Sequence, residues 1–403
     1  MNYIIGSGIS GLTAAYHLQK MGKKTVVKES TEKVGGRIKT NGDFGHQINV
    51  GAQYLAEKDF ETLRLINEIG LRSKLMKQNL HYSYVKDGKI LKAPNEILMH
   101  ITLEEKIQVM RFYFDWILRP SLFWANQLEL TKEVDFKKWY NRHYGKESLW
   151  FFDSIIRGTT SPGSDEMSAY NGINLLQAML STPYNFENGL TELTEHLKNK
   201  AGIRIDVNCR LKEIRTNNNH IKEIEFEDKT VVTKVENCVL STPATEVRKL
   251  VDNAEYKLLD KVEYTSAMYV LVELSKPLVD NDSHFIFADP AFPIATLLNR
   301  SHHGKIMYGA LMPMQKKHEN NNKNVQKVVE NCLSEMNPEF DRLKLLKVER
   351  WKNALPKLSP ELHDVQKRIS QLPIANLHLI GDYTEIPSIE GAIISAKKLA
   401  SKL

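Results

Sequence analysis

Apolar positions change their period several times along the chain, and each change marks an element. Asn2-Tyr3-Ile4-Ile5 is a short apolar strand that runs into Gly6-Ser7-Gly8-Ile9-Ser10-Gly11, after which Leu12 to Leu18 repeats at helix period. Lys24 to Lys28, with Thr25, Val26 and Val27 supplying β-branched residues, reads as a second strand ending on Glu29, so the N-terminal stretch predicts a parallel βαβ unit. Residues 55–150 read as largely helical: Asp59 to Ile69 and Thr102 to Leu118 carry apolar residues at helix spacing, and aromatics are dense from Phe112 to Trp124. After Phe186-Glu187-Asn188-Gly189-Leu190 a helix pattern ends near Lys200, and Ile203 to Val207, Leu211 to Ile214, Ile221 to Phe226 and Val231 to Val235 read as strands. The apolar Cys238-Val239-Leu240 leads into Ser241-Thr242-Pro243, where the chain is expected to re-enter its first domain. Strand patterns dominate 262–312, notably Met268 to Leu274 and Ala295 to Leu298. A solvated run from Lys316 to Lys323 precedes a helix over Val325 to Cys332. Leu377 to Ile380 is a strand ahead of Gly381-Asp382, and Ile389 to Leu399 a closing helix.

At 403 residues with 42% hydrophobic and 26% charged positions, the chain exceeds the usual size of one core, and two domains are expected. No internal repeat is visible, so the domains are expected to be discontinuous. The net charge of +6 comes from 55 basic and 49 acidic residues interspersed along the chain, and no recognition motif accompanies it, which argues against nucleic acid. Three cysteines, Cys209, Cys238 and Cys332, leave an odd thiol without CxxC spacing, which excludes a disulfide scaffold and favours a reducing compartment. His46 and His302-His303 lack metal-ligand or nucleophile spacing, and no metal is expected. No apolar run reaches the ~18 residues of a membrane span, and the chain opens without a cationic leader, so a soluble or peripheral protein is expected. Ser401-Lys402-Leu403 coincides with a peroxisomal address, but three residues match by chance, and the cytoplasm is the first choice.

The glycine motif carries the chemistry. Its first glycine permits a tight turn, its second lets backbone approach a pyrophosphate, and its third allows close packing of helix on strand, while the helix N-terminus offers N–H groups to the anion. Glu29, eighteen positions after Gly11, stands where a ribose diol is held and repels a 2′-phosphate. A dinucleotide is therefore expected, against the plainer reading of a structural glycine turn.

Glu29 followed by Val34-Gly35-Gly36-Arg37 resembles the second FAD signature of the flavin-containing amine oxidase, protoporphyrinogen oxidase and phytoene desaturase superfamily. Phe186 to Leu193, Val239 to Pro243, Gly381-Asp382-Tyr383 and Pro387 to Ala392 resemble further motifs of that superfamily, which together run from residue 3 to about 398. Val85 to Lys89 with Ala93-Pro94, Arg157-Gly158 through Glu166-Met167-Ser168, and Glu349-Arg350-Trp351 with Ala354-Leu355-Pro356 resemble pieces of its protoporphyrinogen oxidase and desaturase branch. Asn49 departs from the Asp that many relatives carry ahead of Gly51-Ala52, and Lys357-Leu358 replaces an aromatic ending; the chain is also shorter than typical porphyrinogen oxidases, so the substrate stays open.

The resemblance implies an α/β protein with a Rossmann-like FAD-binding domain over 1–75, 186–250 and 370–403. Interleaved with it is an α+β substrate domain over 76–185 and 251–369, containing a mixed sheet and a helical insertion at about 100–180. It implies that Gly6, Gly8 and Gly11, with Ile9 and Ser10, line the pyrophosphate, that Gly35, Gly36 and Arg37 meet the diphosphate, and that Glu29 holds the adenosine ribose. A guanidinium fork suits phosphate oxygens. Leu211 would border the adenine, Thr242 belongs to the cofactor set, Asp382 would bind near the ribityl–phosphate end, and the Ile389 amide would face the pyrimidine edge. Gly51, Ala52, Gln53 and Tyr54 would sit beside the isoalloxazine, with Tyr383, Trp351 and Tyr54 as the aromatic candidates at the substrate. For these three, burial in the core is the alternative reading.

The expected chemistry is hydride removal from a C–H bond to flavin N5, as amine oxidation or desaturation of a small molecule that is hydrophobic or amine-bearing, with no dedicated acid–base pair. Only one dinucleotide fingerprint is visible, so reoxidation by oxygen, a quinone or another acceptor is favoured. No cysteine lies near Gly381-Asp382, so FAD is expected to be non-covalent. A non-redox FAD-dependent isomerase and a non-catalytic flavoprotein are the alternatives. The aromatic stretch from Arg111 to Trp124 reads as a buried helix, or else as a hydrophobic entrance or peripheral membrane contact.

Overall fold

The computed structural model describes residues 1–118, 131–200, 202–278, 283–315, 321–337 and 340–403; among these no helix is long and apolar enough to cross a membrane. Of the predicted features, Arg119, Pro120, Phe123 and Trp124, and the start of the Lys316 run, lie outside the described residues. The chain divides into two compact units. Unit one comprises Met1–Lys77, Tyr184–Glu263 and Glu361–Leu403, and unit two Gln78–Pro183 and Tyr264–Pro360. The segments 251–263 and 361–369, read from sequence as substrate domain, fall in unit one. The 3-10 helix Ala254–Lys261 packs on the helix Ala244–Leu250, and Gln366 of the helix Pro360–Ile369 donates to the Tyr383 carbonyl at 3.4 Å.

In unit one the apolar runs form a five-stranded sheet in the order Arg204–Asp206, Thr25–Lys28, Asn2–Ile5, Asn237–Leu240 and Leu377–Leu379, every neighbouring pair parallel. Counted along the chain this is the order 3-2-1-4-5, so the winding reverses between Asn2–Ile5 and Asn237–Leu240. Ile4, Val27 and Val239 are fully buried and join Leu12, Ala15 and Leu18 of the helix Ile9–Lys20 in one core, as expected for a parallel sheet covered by helices. That helix packs on Thr191–Lys200 and Ile389–Ala400. A separate antiparallel sheet joins Leu211–Asn217, His220–Phe226 and Val231–Val232. Its first hairpin turns on Asn218 and Asn219 at φ 50° and 57°, the left-handed conformation that asparagine tolerates.

Unit two is built on a seven-stranded mixed sheet in the order Leu343–Pro356, Tyr264–Leu274, Ile306–Pro313, Thr296–Asn299, His284–Phe287, Tyr82–Lys86 and Lys89–Lys92. Its pairs are antiparallel except His284–Phe287 with Tyr82–Lys86. Alternation divides its side chains. Met268, Val270 and Val272 face Val325, Val329 and Leu333 of the helix Asn322–Met336, whereas Tyr84, Leu91 and Ile286 pack with Phe112, Phe136, Trp139, Tyr140 and Phe152 of the helical part. The reading of 55–150 as largely helical needs correction, because Tyr82–Lys92 is a hairpin turning on Asp87 at φ 51° and Gly88 at φ 71°. The Asp-Gly pair between two apolar runs is the local signal that marks it.

Candidate cofactor site

The first glycine turn lies where the winding of the parallel sheet reverses, the place where open α/β sheets bind ligands. Gly6 adopts φ +101°, and a Cβ on Gly11 would stand 2.1 Å from the Gly6 carbonyl oxygen and 2.9 Å from Ser241 Oγ. Only glycine lets the helix begin so close to both strands. Ser10 Oγ and Ser241 Oγ meet at 2.8 Å, and the Thr242 Cγ2 lies 3.5 Å from where a Gly6 Cβ would be. Gly8 caps the helix Ile9–Lys20 without a side-chain cap, no acidic residue occupies the first turn, and a Cβ on Gly8 would meet nothing within 4 Å. The first N–H groups of a helix have no intrahelical partner, so this uncapped N-terminus beside open space suits an anion.

The second glycine turn is packed onto the first. Gly35 bridges to Gly8 and donates its N–H to the Ser7 carbonyl at 3.0 Å, and a Cβ on Gly36, at φ +59°, would lie 3.2 Å from Gly8 Cα. Arg37 follows, and its NH1 and NH2 donate to the two Asp382 carboxylate oxygens at 2.7 and 2.9 Å. Separate contacts along the cofactor are expected of these residues from sequence; the fold joins them as a fork. Asp382 sits in the turn Asp382–Thr384 after Gly381, whose φ of +140° and N–H bond to Ser395 Oγ at 2.8 Å set the turn.

Glu29 is buried at the end of the second strand. One carboxylate oxygen accepts from Ser7 N at 2.9 Å and Ser7 Oγ at 2.7 Å, the other from Thr31 N and Thr31 Oγ1, both at 2.9 Å. Burial pushes this carboxyl up, but the bonds from Ser7 and Thr31 outweigh it and hold it below the ordinary glutamate range. Cys209 N donates to the Glu29 carbonyl at 2.7 Å, and Asn208 N to that of Thr31 at 3.2 Å, which brings the approach to Leu211 alongside.

Gly51 and Ala52 rest on Arg37: a Cβ on Gly51 would lie 2.0 Å from the Arg37 carbonyl oxygen, which accepts from Ala52 N at 3.1 Å. Gln53 Nε2 donates to the Gly51 carbonyl at 2.6 Å, and Tyr54 is half-buried. Ile389 opens the helix Ile389–Ala400, whose N-cap Ser388 accepts from Gly391 N at 3.0 Å. Glu390, not singled out for a role in the sequence reading, takes hydrogen bonds from Glu61 N and Thr62 N at 2.8 Å and from Thr62 Oγ1 at 2.6 Å, so it caps the helix Phe60–Glu68. The sequence signal available was a carboxylate in the first turn of the closing helix. Every predicted cofactor residue therefore falls in unit one, and with them Tyr54 and Tyr383, the latter 1% exposed. Trp351 falls in unit two, paired with Ala267 on the strand Leu343–Pro356. Cys238 lies inside the parallel sheet, Cys332 on the helix Asn322–Met336, and Cys209 beside Glu29.

A parallel sheet wound in this order, with an uncapped glycine-led helix at its switch point and a buried acid ending the second strand, defines a dinucleotide-binding protein. The chain belongs to the flavin containing amine oxidoreductase family, which it matches over residues 9–403, and its cofactor is FAD. It is 26% identical over 174 residues to protoporphyrinogen oxidase 2, chloroplastic/mitochondrial, of Arabidopsis thaliana, a match covering 41% of this chain and 33% of that protein. It is 28% identical over 173 residues to an L-amino-acid oxidase of Protobothrops flavoviridis, again over 41% of this chain and 33% of the relative. The match thus spans about a third of the length of these curated relatives. The crystal structure of a CLA-producing fatty acid isomerase from P. acnes superposes with a TM-score of 0.79 at 14% identity, over 100% of this chain and 98% of that one.

Proposed function

We propose that the protein is an FAD-dependent oxidoreductase acting on an organic small molecule, by amine oxidation or desaturation. The observation that carries this reading is the convergence in unit one of two stacked glycine turns, an uncapped helix N-terminus, the Arg37–Asp382 fork and the Glu29 carboxylate. The first-turn N–H groups of Ile9–Lys20 would hold a pyrophosphate, and Arg37, fixed in direction by Asp382, would offset its charge. Glu29, kept ionised, accepts the ribose hydroxyls in place of the Ser7 and Thr31 hydroxyls. With FAD bound, the N-terminus of Ile389–Ala400 would face the pyrimidine edge and favour negative charge there. When bound, FAD supplies the two-electron acceptor, taking a hydride at N5. Tyr54 of unit one is the aromatic group we assign to the substrate side, Tyr383 being closed off in the core at 1% exposure, and the linkage to FAD is non-covalent.

Anaerobic bleaching of the flavin bands by candidate amines, porphyrinogens and polyenes tests this. Bleaching by an amine alone selects amine oxidation, bleaching by a porphyrinogen or polyene selects desaturation, and bound FAD that none of them bleaches removes the oxidoreductase reading. A non-redox FAD-dependent isomerase is the alternative, recognised by product formation without bleaching; a protein described as a CLA-producing fatty acid isomerase shares the fold.

A peripheral membrane contact is the second partner proposed. On the helix Leu103–Phe112 and the π-helical turn Tyr113–Leu118, Leu103, Ile107, Met110 and Phe114 are 72, 52, 59 and 48% exposed along one side, with Phe112 and Trp116 buried on the other. The buried-helix reading thus holds for Phe112 and Trp116, while an apolar stripe starting at Leu103 supports contact with a lipid surface.

A further inference from the structure

Asn49 is 3% exposed, and its side-chain amide uses every one of its bonding positions. Its Oδ1 accepts from Leu190 N at 2.9 Å and from Thr40 Oγ1 at 2.8 Å, while Nδ2 donates to the Gln53 carbonyl at 2.9 Å and to Asn185 Oδ1 at 3.3 Å. The orientation is forced. A backbone N–H can only donate and a carbonyl can only accept, so exchanging oxygen and nitrogen would oppose like groups at Leu190 and at Gln53. Asn185 Oδ1 is likewise held as an acceptor, because it also receives Phe186 N at 2.9 Å.

The four partners come from separate places: the strand Thr40–Asn41, the loop after Asn49, the strand Pro183–Phe186, and the start of the helix Thr191–Lys200. Space around the amide is closed. Gly189 adopts φ +74°, and a Cβ there would lie 2.8 Å from Asn49 Oδ1 and 2.4 Å from Thr40 Cγ2. The loop is tied a second time, since Gln53 Nε2 donates to the Asn49 carbonyl at 3.1 Å and to that of Gly51 at 2.6 Å. None of the groups bonded to the Asn49 side chain titrates, so the node is neutral at every ordinary pH.

We propose that Asn49 is a positioning residue for the flavin: its amide fixes the Gln53 carbonyl, and through it the course of Gly51 to Tyr54 at the isoalloxazine. This rests on the proposed placement of that loop beside the flavin. A carboxylate of the same shape keeps the bonds from Leu190 and Thr40 but turns an oxygen toward two acceptors. The loop must then shift while the carboxyl is ionised, and return when it takes up a proton and regains one donor.

The test is titration of the flavin-free chain with FAD at pH 5 and pH 8, reading affinity together with the visible band positions and circular dichroism of the bound flavin. The native chain is expected to give the same bands and affinity at both. Asn49→Asp is expected to shift the bands and weaken FAD about tenfold or more at pH 8, and to return toward native values at pH 5. Thr40→Val, which removes one hydroxyl from the acceptor side, gives a smaller band shift in a chain that still folds. Asn49→Asp with native bands and affinity at pH 8, or impaired equally at both pH values, overturns the proposal. So does an unchanged band position in Thr40→Val should Asn49→Asp not fold. A native chain that binds no FAD at all removes instead the reading on which the proposal stands.

Discussion

The Arg37 guanidinium and the Asp382 carboxylate, 345 residues apart, meet through two hydrogen bonds of 2.7 and 2.9 Å, with side chains 35% and 6% exposed. The pair couples the second glycine turn to the turn that precedes the closing helix. Removing the guanidinium leaves a buried carboxylate unpaired, which we expect to cost about 2 kcal/mol, below the value for a fully buried pair because Arg37 keeps access to water. Arg37→Met should therefore lower the melting temperature of the flavin-free chain, Asp382→Asn should lower it less, and both should weaken FAD. Thermal unfolding without FAD checks this; an unchanged Tm for Arg37→Met would show that the pair does not hold the turns together.

Asp59, ahead of the helix Phe60–Glu68, has its carboxyl pushed up to about 6 by burial and by the charge of Glu390, against a bond from Ala56 N at 2.7 Å. The folded chain then binds a proton there that the unfolded chain has released. This contribution is fully present below the ordinary aspartate range, falls as pH rises toward 6, and is level above it. Asp59→Asn should accordingly stabilise the protein by up to about 3 kcal/mol at pH 8 and leave it little changed at pH 4. Denaturant midpoints at the two pH values decide it, and equal gains at both would refute the assignment.

How much of this was legible in sequence depended on how local each signal is. The strand Asn2–Ile5, its glycine turn and the strand Thr25–Lys28 were readable because apolar runs, glycines and the terminal Glu29 follow one another without interruption. The strand Leu343–Pro356 was not read as one, because it is mostly half-exposed and mixes charged residues with helix-favouring Leu and Lys. The Arg37–Asp382 fork and the Asn49 node could not be read at all. Each joins residues far apart in the chain, and only the closed fold shows that the groups proposed for cofactor contact also bond to one another. The network further explains the asparagine at position 49, since two of its partners are acceptors.

His284 in unit two is 5% exposed, and its Nδ1 accepts from Asn299 N at 2.9 Å, which requires an unprotonated nitrogen there. Burial first, then the charges of Arg300 and His81, push it down to about 3. Because the folded chain resists protonation, this stability is complete above the ordinary histidine range and is lost as pH falls toward 3. By pH 5 the loss is about 2 kcal/mol. His284→Gln, whose carbonyl can still accept from Asn299, should flatten the decline between pH 7 and pH 5. An identical slope in the variant would exclude His284 as its source.

The exposed line Leu103, Ile107, Met110 and Phe114 gives a direct membrane prediction. The protein should sediment with phospholipid vesicles, and replacing Leu103, Ile107 and Met110 together by Gln should reduce partition at least about tenfold, since each apolar side chain contributes on the order of 1 kcal/mol on burial. The bound fraction in both forms is the readout. Absence of binding by the native chain, or equal binding by the two forms, would contradict the contact.

The most direct test of the central claim is flavin stoichiometry before and after denaturation. The account predicts that the purified chain, supplied with FAD and freed of excess, holds one FAD per chain, and that denaturation releases all of it into the filtrate. It also predicts that Glu29→Gln and Arg37→Met each retain less. A chain that takes up no FAD, or one whose flavin stays with the precipitated protein, would contradict the account.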